Sequence, residues 1–434
     1  MKFPSAVRLL AALVPALTPF FAVANTGAHP FGLLLTWQRD PSTTMTVQWM
    51  ERSETPPPPV ALRHWNAAHS KADAAEATTT VQSVELWPDM HIHRAELTGL
   101  LPDTAHRFRA EGWHADYGFT TMPAVPRDAV KFAVGACARP YAGRSLEATL
   151  SAMMEHSPRF LLWGGHLAHA KARMRDVVER ARRWDAWFDA MASALIDEAR
   201  HITPVVAAIG ETEVMERFVF NHPSYQQIDD YRRYMGPYFY QLFAFPGQPG
   251  YNVLDFGDYL SLVVLDSDHS NPVDGEQTEW LEKTLAARRG VPHVFPVYHV
   301  SAYPGGQNAM EVNDPARPWR NGYDGYSSAR VRRYWSPLFE THGVRVAFEH
   351  YGHVYKRTVP IRNGEHHPEG VVYLGDGALG ETPAEPRDAA DSWYLAHSTA
   401  ALHAIIVTLS PDGSARFIAV DNTGAVIDEH NDTQ

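Results

Sequence analysis

Hydrophobic positions are spaced differently in the two parts of the chain. Between residues 31 and 122 the apolar runs are short and alternate with polar positions, as in TMTVQWM (44–50) and HRAEL (93–97). Turn-forming residues, including the proline run at 56–59, separate these segments. Such a pattern is typical of short antiparallel strands with one buried face, and about seven of them form a β-sandwich.

From residue 130 onwards the pattern changes to longer apolar runs that alternate with helical segments. VKFAVGA (130–136) is strand-like, whereas SLEATLSAMMEH (145–156) has the spacing of an amphipathic helix. Alternation of strands and helices predicts a layered α/β domain. We therefore predict an all-β domain over 25–122, a proline-containing linker over 123–129 and an α/β domain over 130–425.

The first 24 residues have the features of a secretory signal peptide. Lys2 and Arg8 make the N-terminus positively charged, and an almost wholly apolar run follows. Ala22-Val23-Ala24 then provides the small residues of a cleavage site. We expect the mature protein to be secreted or periplasmic. Since no later segment has about 18 uninterrupted apolar residues, we expect no stable membrane insertion.

The net charge and the cysteine count limit the kinds of partner and of covalent cross-link that the chain can have. The chain has 434 residues and a net charge of −12, which argues against nucleic acid or an anionic membrane as its main partner. Cys137 is the only cysteine, so no internal disulfide forms and the fold relies on its hydrophobic core. The 23 histidines reflect either compositional drift or a metal site, and their positions must decide between the two.

Polar residues follow the ends of five predicted strands. Ligands in open α/β sheets collect at the carboxyl ends of strands, so these five ends together form the candidate site. In chain order the five blocks read GACARP (135–140), GGHLAHA (164–170), GETE (210–213), YHVSAYP (298–304) and HYGHVYKR (350–357).

The order and spacing of these blocks resemble the metallophosphoesterase (calcineurin-like) superfamily, and the purple acid phosphatases in particular. The segment at 97–112 resembles the late strands of a fibronectin type III domain, with His106 where that family usually has tyrosine. The resemblance implies a four-layer α/β/β/α sandwich behind a fibronectin type III-like domain. It also implies hydrolysis of phosphate monoesters with two metal ions, which a bridging carboxylate holds about 3.5–4 Å apart.

Most ligand positions depart from the family pattern. Where the family has two aspartates, the second of which bridges the ions, this chain has Ala136 and His166. Where the family has an asparagine followed by a histidine, this chain has Glu211 and Thr212. A methyl group cannot bind a metal, and an imidazole offers one lone pair to one metal, so it cannot bridge as a carboxylate does. We therefore argue against the family's ordinary dinuclear site.

Three histidines still occupy positions that converge on one metal in the family pattern. They are His166, His169 and His353. Three imidazoles with an open fourth position suit a single zinc- or iron-type ion. The resemblance places Glu211, His299 and Tyr351 around the position of the second metal, where Glu211 can act as a general base toward water.

The remaining candidates concern substrate binding. Arg139 can reach a phosphate oxygen, and Thr212 and His222 lie in regions that contact substrate in the family. We expect a small phosphorylated substrate or ligand, and the sequence identifies no protein partner. Cys137 is expected to be a buried structural thiol that points away from the site.

Two functions are compatible with these residues. The first is a secreted phosphoric-ester hydrolase with a remodelled, mononuclear metal site. The second is a catalytically inactive pseudophosphatase that acts as a secreted binding module, since the bridging carboxylate is lost and Ala136 replaces the first aspartate. An ordinary dinuclear purple acid phosphatase, which overall similarity alone would suggest, ranks third.

Overall fold

The structure is a computed structural model of the chain. It describes residues 29–84, 86–141, 145–170, 177–215, 228–307, 322–375, 377–390 and 392–433. Two sequence predictions, the signal peptide at 1–24 and substrate contact by His222, lie outside these residues.

The first domain is an all-β sandwich, as its alternating pattern predicted. Its strands are β1 (Leu34–Thr36), β2 (Met45–Arg52), β3 (Ala61–Asn66), β4 (Ala75–Thr78), β5 (Thr80–Ser83), β6 (Met90–Leu97), β7 (Ala105–Ala110) and β8 (Tyr117–Thr120). They pair in two antiparallel sheets, ordered β1-β2-β6-β5 and β4-β3-β7-β8. Apolar side chains of both sheets, such as Val47, Ile92 and Phe108, are buried in one core.

The second domain contains two larger sheets. Its strands are β9 (Val130–Gly135), β10 (Leu161–Trp163), β11 (Val205–Ala207), β12 (Asn252–Phe256), β13 (Leu260–Val264), β14 (His293–Val297), β15 (Val346–Glu349), β16 (Tyr355–Thr358), β17 (Ile361–Arg362), β18 (Glu365–His366), β19 (Val372–Gly375), β20 (Leu395–Thr399), β21 (His403–Leu409), β22 (Ala415–Asp421) and β23 (Val426–Asp432). One sheet has the order β11-β10-β9-β21-β22-β23 and the other β12-β13-β14-β15-β19-β16-β20, while β17 and β18 form a separate hairpin.

Helices cover the outer faces of both sheets. The helices are α1 (Ser145–Met154), α2 (Val177–Leu195), α3 (Ile228–Met235), α4 (Phe239–Leu242), α5 (Glu276–Ala286), α6 (Gly322–Tyr334) and α7 (Ser336–Thr341), and none of them is long and apolar enough to cross a membrane. Phe295 contacts Phe132 and Phe417 between the sheets, and Trp335, between α6 and α7, packs on Tyr298 at the outer face of the second sheet. With α1 against β21 and β22, this is the four-layer α/β/β/α order that the resemblance implied.

The parallel strands determine where the candidate site lies. β9, β10 and β11 run parallel in one sheet, and β13, β14, β15 and β19 run parallel in the other. The segments after β10 and β14 meet where Nδ1 of His299 lies 2.7 Å from the carbonyl oxygen of Gly164. The five strand-end blocks are therefore brought together at one edge of the two sheets.

The sandwich packs directly against the second domain. Trp37 contacts Phe160 and Phe256 edge to face, and the Gln48 amide donates a hydrogen bond of 2.5 Å to the carbonyl oxygen of Leu242. Buried apolar residues of both domains form one continuous cluster. The first domain is thus joined to the second through a shared apolar core.

Candidate metal centre

The loop after β10 supplies the central histidine of the candidate site. β10 ends at Trp163, and Gly164 and Gly165 turn the chain before His166. Gly165 has a φ of +93°, a conformation that favours glycine. A Cβ added there would lie 2.9 Å from Cα of Gly210, so the glycine permits close approach of the second and third strand-end blocks.

Four side chains of the site are carried by left-handed backbone that non-glycine residues rarely adopt. The φ angle is +57° at Cys137, +52° at His166, +51° at His169 and +55° at His353. Such conformations cost about 1–3 kcal/mol each and persist only where surrounding contacts impose them. Their concentration at the strand ends indicates that packing, rather than local preference, orients these side chains.

Glu213 fixes the backbone of the histidine loop. Its carboxylate accepts hydrogen bonds from the N–H groups of His166 and Leu167, both at 2.9 Å, and from that of Gly210 at 3.1 Å. The Glu213 carboxylate also accepts a hydrogen bond of 2.8 Å from the hydroxyl of Thr212. The Thr212 side chain, which was predicted to contact substrate, therefore points toward Glu213 in this structure. The carboxyl is buried, and burial raises its pKa to about 7.

His166 lies at the centre of a group of imidazoles. Its ring centroid is 4.0 Å from that of His299, 5.1 Å from that of His169 and 5.8 Å from that of His353. Its Nε2 lies 3.5 Å from Oε1 of Glu211. His166 is buried whereas Glu211 is partly exposed, so this carboxylate borders the solvent side of the group.

Cys137 faces this group, contrary to the expectation that its thiol would point away. Sγ lies 3.5 Å from Nδ1 of His166 and donates a hydrogen bond of 3.2 Å to the carbonyl oxygen of His350. The cysteine is buried, as expected. The reversed orientation follows from its left-handed backbone, because alternation along an extended strand would direct the side chain to the opposite face.

Three donor atoms are close enough to hold one ion. Sγ of Cys137 and ring nitrogens of His166 and His353 all lie within 4.8 Å of one another. His169, which the sequence analysis grouped with the other two histidines, lies beside Glu381 instead, with 3.6 Å between Nε2 and Oε2. Within the described ranges, the three-donor set is therefore Cys137, His166 and His353, called the donor set below.

His299 combines a fixed ring with an unpaired nitrogen. Its Nδ1 is 2.7 Å from the carbonyl oxygen of Gly164, whereas its buried Nε2 has no hydrogen-bond partner among the residues described. Burial and the neighbouring His166 lower the pKa of His299 well below its ordinary value, so the ring is neutral. A neutral imidazole held at one nitrogen by a carbonyl has the form of a metal ligand.

His350, the first residue of the fifth block, supports the site through packing. Its ring covers Gly164, where an added Cβ would lie only 1.8 Å from Cδ2 of the imidazole. The side chain is buried, and burial lowers its pKa to about 3. Sequence reasoning missed this contact, and the small residue at 164 is the only signal that points to it.

Tyr351 and Arg139 border the imidazole group. The Tyr351 ring centroid is 5.9 Å from that of His166 and 5.6 Å from that of His299. Arg139, a predicted substrate contact, forms an ion pair with Glu381. Burial lowers the pKa of the adjacent His169 to about 4, although Glu381 acts in the opposite direction.

The donors differ from those of the family's dinuclear site. Ala136 is buried and offers only a methyl group, and each nitrogen of His166 has a single lone pair at the position where a bridging carboxylate is needed. A thiolate and imidazoles together match an ion of zinc or iron type. The residues present therefore offer sulfur and nitrogen donors for a metal ion and lack the bridging carboxylate of the family's dinuclear arrangement.

Comparisons with known proteins agree with this fold. Residues 30–121 match the family model described as "Purple acid Phosphatase, N-terminal domain". The structure is similar to the purple acid phosphatase PPD1 from yellow lupin (Lupinus luteus) seeds, with a TM-score of 0.71 and 13% identity over 93% of this chain and 74% of that chain. It is also similar to PhoD, with a TM-score of 0.63 and 12% identity over 94% of this chain and 90% of that chain. No curated protein sequence matches the chain.

Proposed function

The chain has a purple acid phosphatase-like metallophosphoesterase fold, and we propose that it is an exported phosphoric-ester hydrolase with one metal ion in a remodelled site. The donor set carries this proposal, because its sulfur and two nitrogens lie within 4.8 Å of one another at the strand ends. An ion bound there supplies Lewis acidity, since a cation lowers the pKa of water and offsets negative charge on phosphoryl oxygens.

The surrounding residues keep the donors in place. His299 adds a buried neutral imidazole whose ring contacts that of His166 at 4.0 Å between centroids. Glu213 fixes the loop on which His166 is carried, through its hydrogen bonds to the backbone. An ion of zinc or iron type suits these sulfur and nitrogen donors, and a small phosphorylated molecule is the proposed substrate.

Glu211 is the proposed general base. Its Oε1 lies 3.5 Å from Nε2 of His166, and its side chain is partly exposed, so a carboxylate stands between the histidines and solvent. There it would accept a proton from the water whose oxygen attacks phosphorus. The phosphorus–oxygen bond to the leaving alcohol breaks in the same step, and the alcohol takes a proton from solvent.

Export is a separate part of the proposal. Residues 1–24 have the positive start, apolar run and small-residue cleavage site of a signal peptide. The single cysteine is buried, so it is protected from intermolecular disulfide formation in an oxidising compartment. Cell fractionation of the full chain and of a variant that starts at Asn25 tests this point, and full-length protein that remains in the cytoplasm would contradict export.

A catalytically inactive pseudophosphatase is the second candidate function. The buried Ala136 favours it, because the first strand-end block contributes no carboxylate at that position. Glu213 is also committed to the loop backbone, and Glu381 to Arg139. Under this alternative the site binds a phosphorylated ligand without hydrolysing it.

Metal content is the first measurement that tests the proposal. Elemental analysis of protein purified without a metal-binding tag should give about one zinc- or iron-type ion per chain. Cys137→Ser should weaken retention of the ion, and His166→Ala combined with His353→Ala should abolish it. His366→Ala removes an exposed histidine of the β18 hairpin and should retain the ion. A wild-type protein without metal would contradict the proposal.

Turnover on the same preparations separates the two candidate functions. With p-nitrophenyl phosphate, Glu211→Gln should reduce turnover about 10²-fold or more while retaining the ion, because only the proton acceptor is removed. Bound metal without hydrolysis of any phosphate ester supports the pseudophosphatase. Turnover that survives the double histidine change would show that the activity comes from elsewhere.

A further inference from the structure

A group of cationic and aromatic side chains lies just outside the donor set. Its members are Arg139, Tyr141 and Arg183, called the arginine–tyrosine rim below. Cζ of Arg139 is 5.8 Å and Cζ of Arg183 is 4.9 Å from the centroid of the Tyr141 ring. Both guanidinium groups are thus gathered around one aromatic side chain.

His169 links the arginine–tyrosine rim to the donor set. Its ring centroid is 5.1 Å from that of His166 on one side and 6.1 Å from that of Tyr141 on the other. The rim therefore lies one side chain beyond the candidate ion. A substrate that reacts at the donor set has to extend only a short distance to contact it.

Polar contacts fix the two guanidinium groups before any ligand binds. Nη1 of Arg183 donates a hydrogen bond of 2.5 Å to the carbonyl oxygen of His169. Arg139 pairs with one oxygen of Glu381, and the other oxygen lies 3.6 Å from Nε2 of His169. Since these side chains are already ordered, binding an anion requires little further loss of side-chain freedom.

Among the described residues, the charges at the arginine–tyrosine rim do not cancel. Arg139 is balanced by Glu381, whereas Arg183 forms no ion pair with any described residue and contacts the ring of Tyr141 instead. Nε of Arg139 is also buried and has no hydrogen-bond partner among those residues. Tyr141 is 44% exposed, so solvent and small molecules can reach the rim.

We propose that the arginine–tyrosine rim is a subsite for a second phosphoryl group of the substrate. The preferred substrate is then a small molecule in which a short carbon chain joins two phosphoryl groups. One group occupies the site at the donor set, and the other is bound by Arg183 and Arg139, whose planar guanidinium groups match phosphate oxygens in pairs. The identity of the reacting group rests on the proposed function, but binding of the second group does not require turnover.

The test is calorimetric titration of the complete protein with fructose 1,6-bisphosphate and with fructose 6-phosphate. We expect the bisphosphate to bind about tenfold more tightly, a difference of about 1.4 kcal/mol, because its second phosphoryl group gains charge-assisted hydrogen bonds. Arg183→Gln should remove most of this difference. Arg182→Gln removes the same charge from the exposed neighbour on α2 and should keep the difference, which separates the subsite from a general effect of net charge.

Glu381→Gln provides a test with the opposite sign. The carboxylate of Glu381 forms an ion pair with the guanidinium group of Arg139. Neutralising Glu381 should therefore leave Arg139 free to bind phosphate, and the bisphosphate should bind more tightly. If the pair served only to support the fold, this substitution would weaken binding of both sugar phosphates or leave it unchanged. Arg183→Lys keeps the positive charge but loses the planar guanidinium group that can form two hydrogen bonds to one phosphate. This variant should therefore prefer the bisphosphate less strongly than the wild-type protein does, but more strongly than Arg183→Gln.

The outcomes distinguish failure of the subsite from failure of the proposed function. Equal affinity of the wild-type protein for the two sugars, or equal losses in Arg182→Gln and Arg183→Gln, would overturn the subsite even if the protein hydrolyses phosphate esters. A preference for the bisphosphate that only Arg183→Gln removes would support the subsite even in a protein without turnover.

Discussion

The imidazole of His350 occupies the space that any side chain at Gly164 would need. A Cβ built on Gly164 would lie 1.8 Å from Cδ2 and 2.2 Å from Cγ of His350. The two residues follow strands of different sheets, β10 and β15. Their contact therefore joins the two strand ends that carry His166 and His353.

Gly164→Ala should destabilise the protein and reduce its metal content. Overpacking of a buried site costs about 1–3 kcal/mol, and the His350 ring that the new methyl group would meet is itself buried. Chemical denaturation gives the change in unfolding free energy, and elemental analysis gives the metal. Gly290→Ala is the control, because no atom lies within 4 Å of a Cβ added there. Equal effects of the two substitutions would contradict the tight contact.

Glu213→Gln should loosen the histidine loop. An amide in place of the carboxylate turns an NH₂ group toward at least one of the N–H donors of His166, Leu167 or Gly210, which leaves a buried donor unsatisfied. Such a loss costs about 1–3 kcal/mol. We expect a lower denaturation midpoint and a faster loss of metal to a chelator than in the wild-type protein.

Thr212→Ala is the matched control for that prediction. It removes one hydrogen bond to the same carboxylate and leaves the backbone donors paired, so its effect should be the smaller of the two, about 1 kcal/mol. If Thr212→Ala instead abolished turnover without affecting stability, the hydroxyl would contact substrate, as the sequence analysis expected.

The order of elements and the meeting of five strand ends were predictable from the sequence. Apolar runs with turn signals define the parallel strands, and parallel strands bring their carboxyl ends to one edge whatever the side chains beyond them. His166 and His299 were accordingly expected in the same candidate site, beside different metal positions, and their ring centroids are 4.0 Å apart.

Side-chain direction within the blocks was not predictable in the same way. Cys137 turns toward His166 because its backbone is left-handed, with a φ of +57° that no residue preference indicates. His169 contacts Glu381, a partner more than two hundred positions away in the sequence. Both features depend on tertiary contacts that override local propensity.

His106→Phe should make the protein less sensitive to acid. His106 is buried in β7 and stacks on Phe119 with ring centroids 5.6 Å apart, and burial lowers its pKa below the ordinary 6.5. The unfolded chain therefore binds a proton at a higher pH than the folded chain does. His106 contributes stability above the unfolded pKa, and this contribution is lost as the pH falls toward the folded pKa.

Thermal unfolding of both proteins between about pH 8 and pH 5 checks this expectation. The stability of the His106→Phe variant relative to the wild-type protein should rise as the pH is lowered. His69→Asn changes an exposed histidine of the same domain and is the control for the loss of a histidine. A constant difference between His106→Phe and the wild-type protein across the pH range would mean that His106 does not titrate differently in the two states.

Behind the site, β15 is held by an ion pair that is fully buried. Lys356 contacts Glu349, and both side chains have no exposed surface. Glu349 also accepts hydrogen bonds of 2.6 Å from the hydroxyl of Tyr298 and 2.7 Å from the N–H of Ala302. Glu349 is the last residue of β15, so its position determines where His350 begins the fifth block.

Lys356→Met should therefore destabilise both the fold and the donor set. Removal of one partner leaves the Glu349 carboxylate buried without a cation, which costs about 3–5 kcal/mol. Arg416→Met is the control, because it breaks an exposed, solvent-screened pair with Glu429 and should cost far less. Urea denaturation gives both values, and Lys356→Met/Glu349→Gln should recover part of the loss, since no buried charge remains. If Lys356→Met were as mild as Arg416→Met, the pair would not hold the strand that positions His350 and His353.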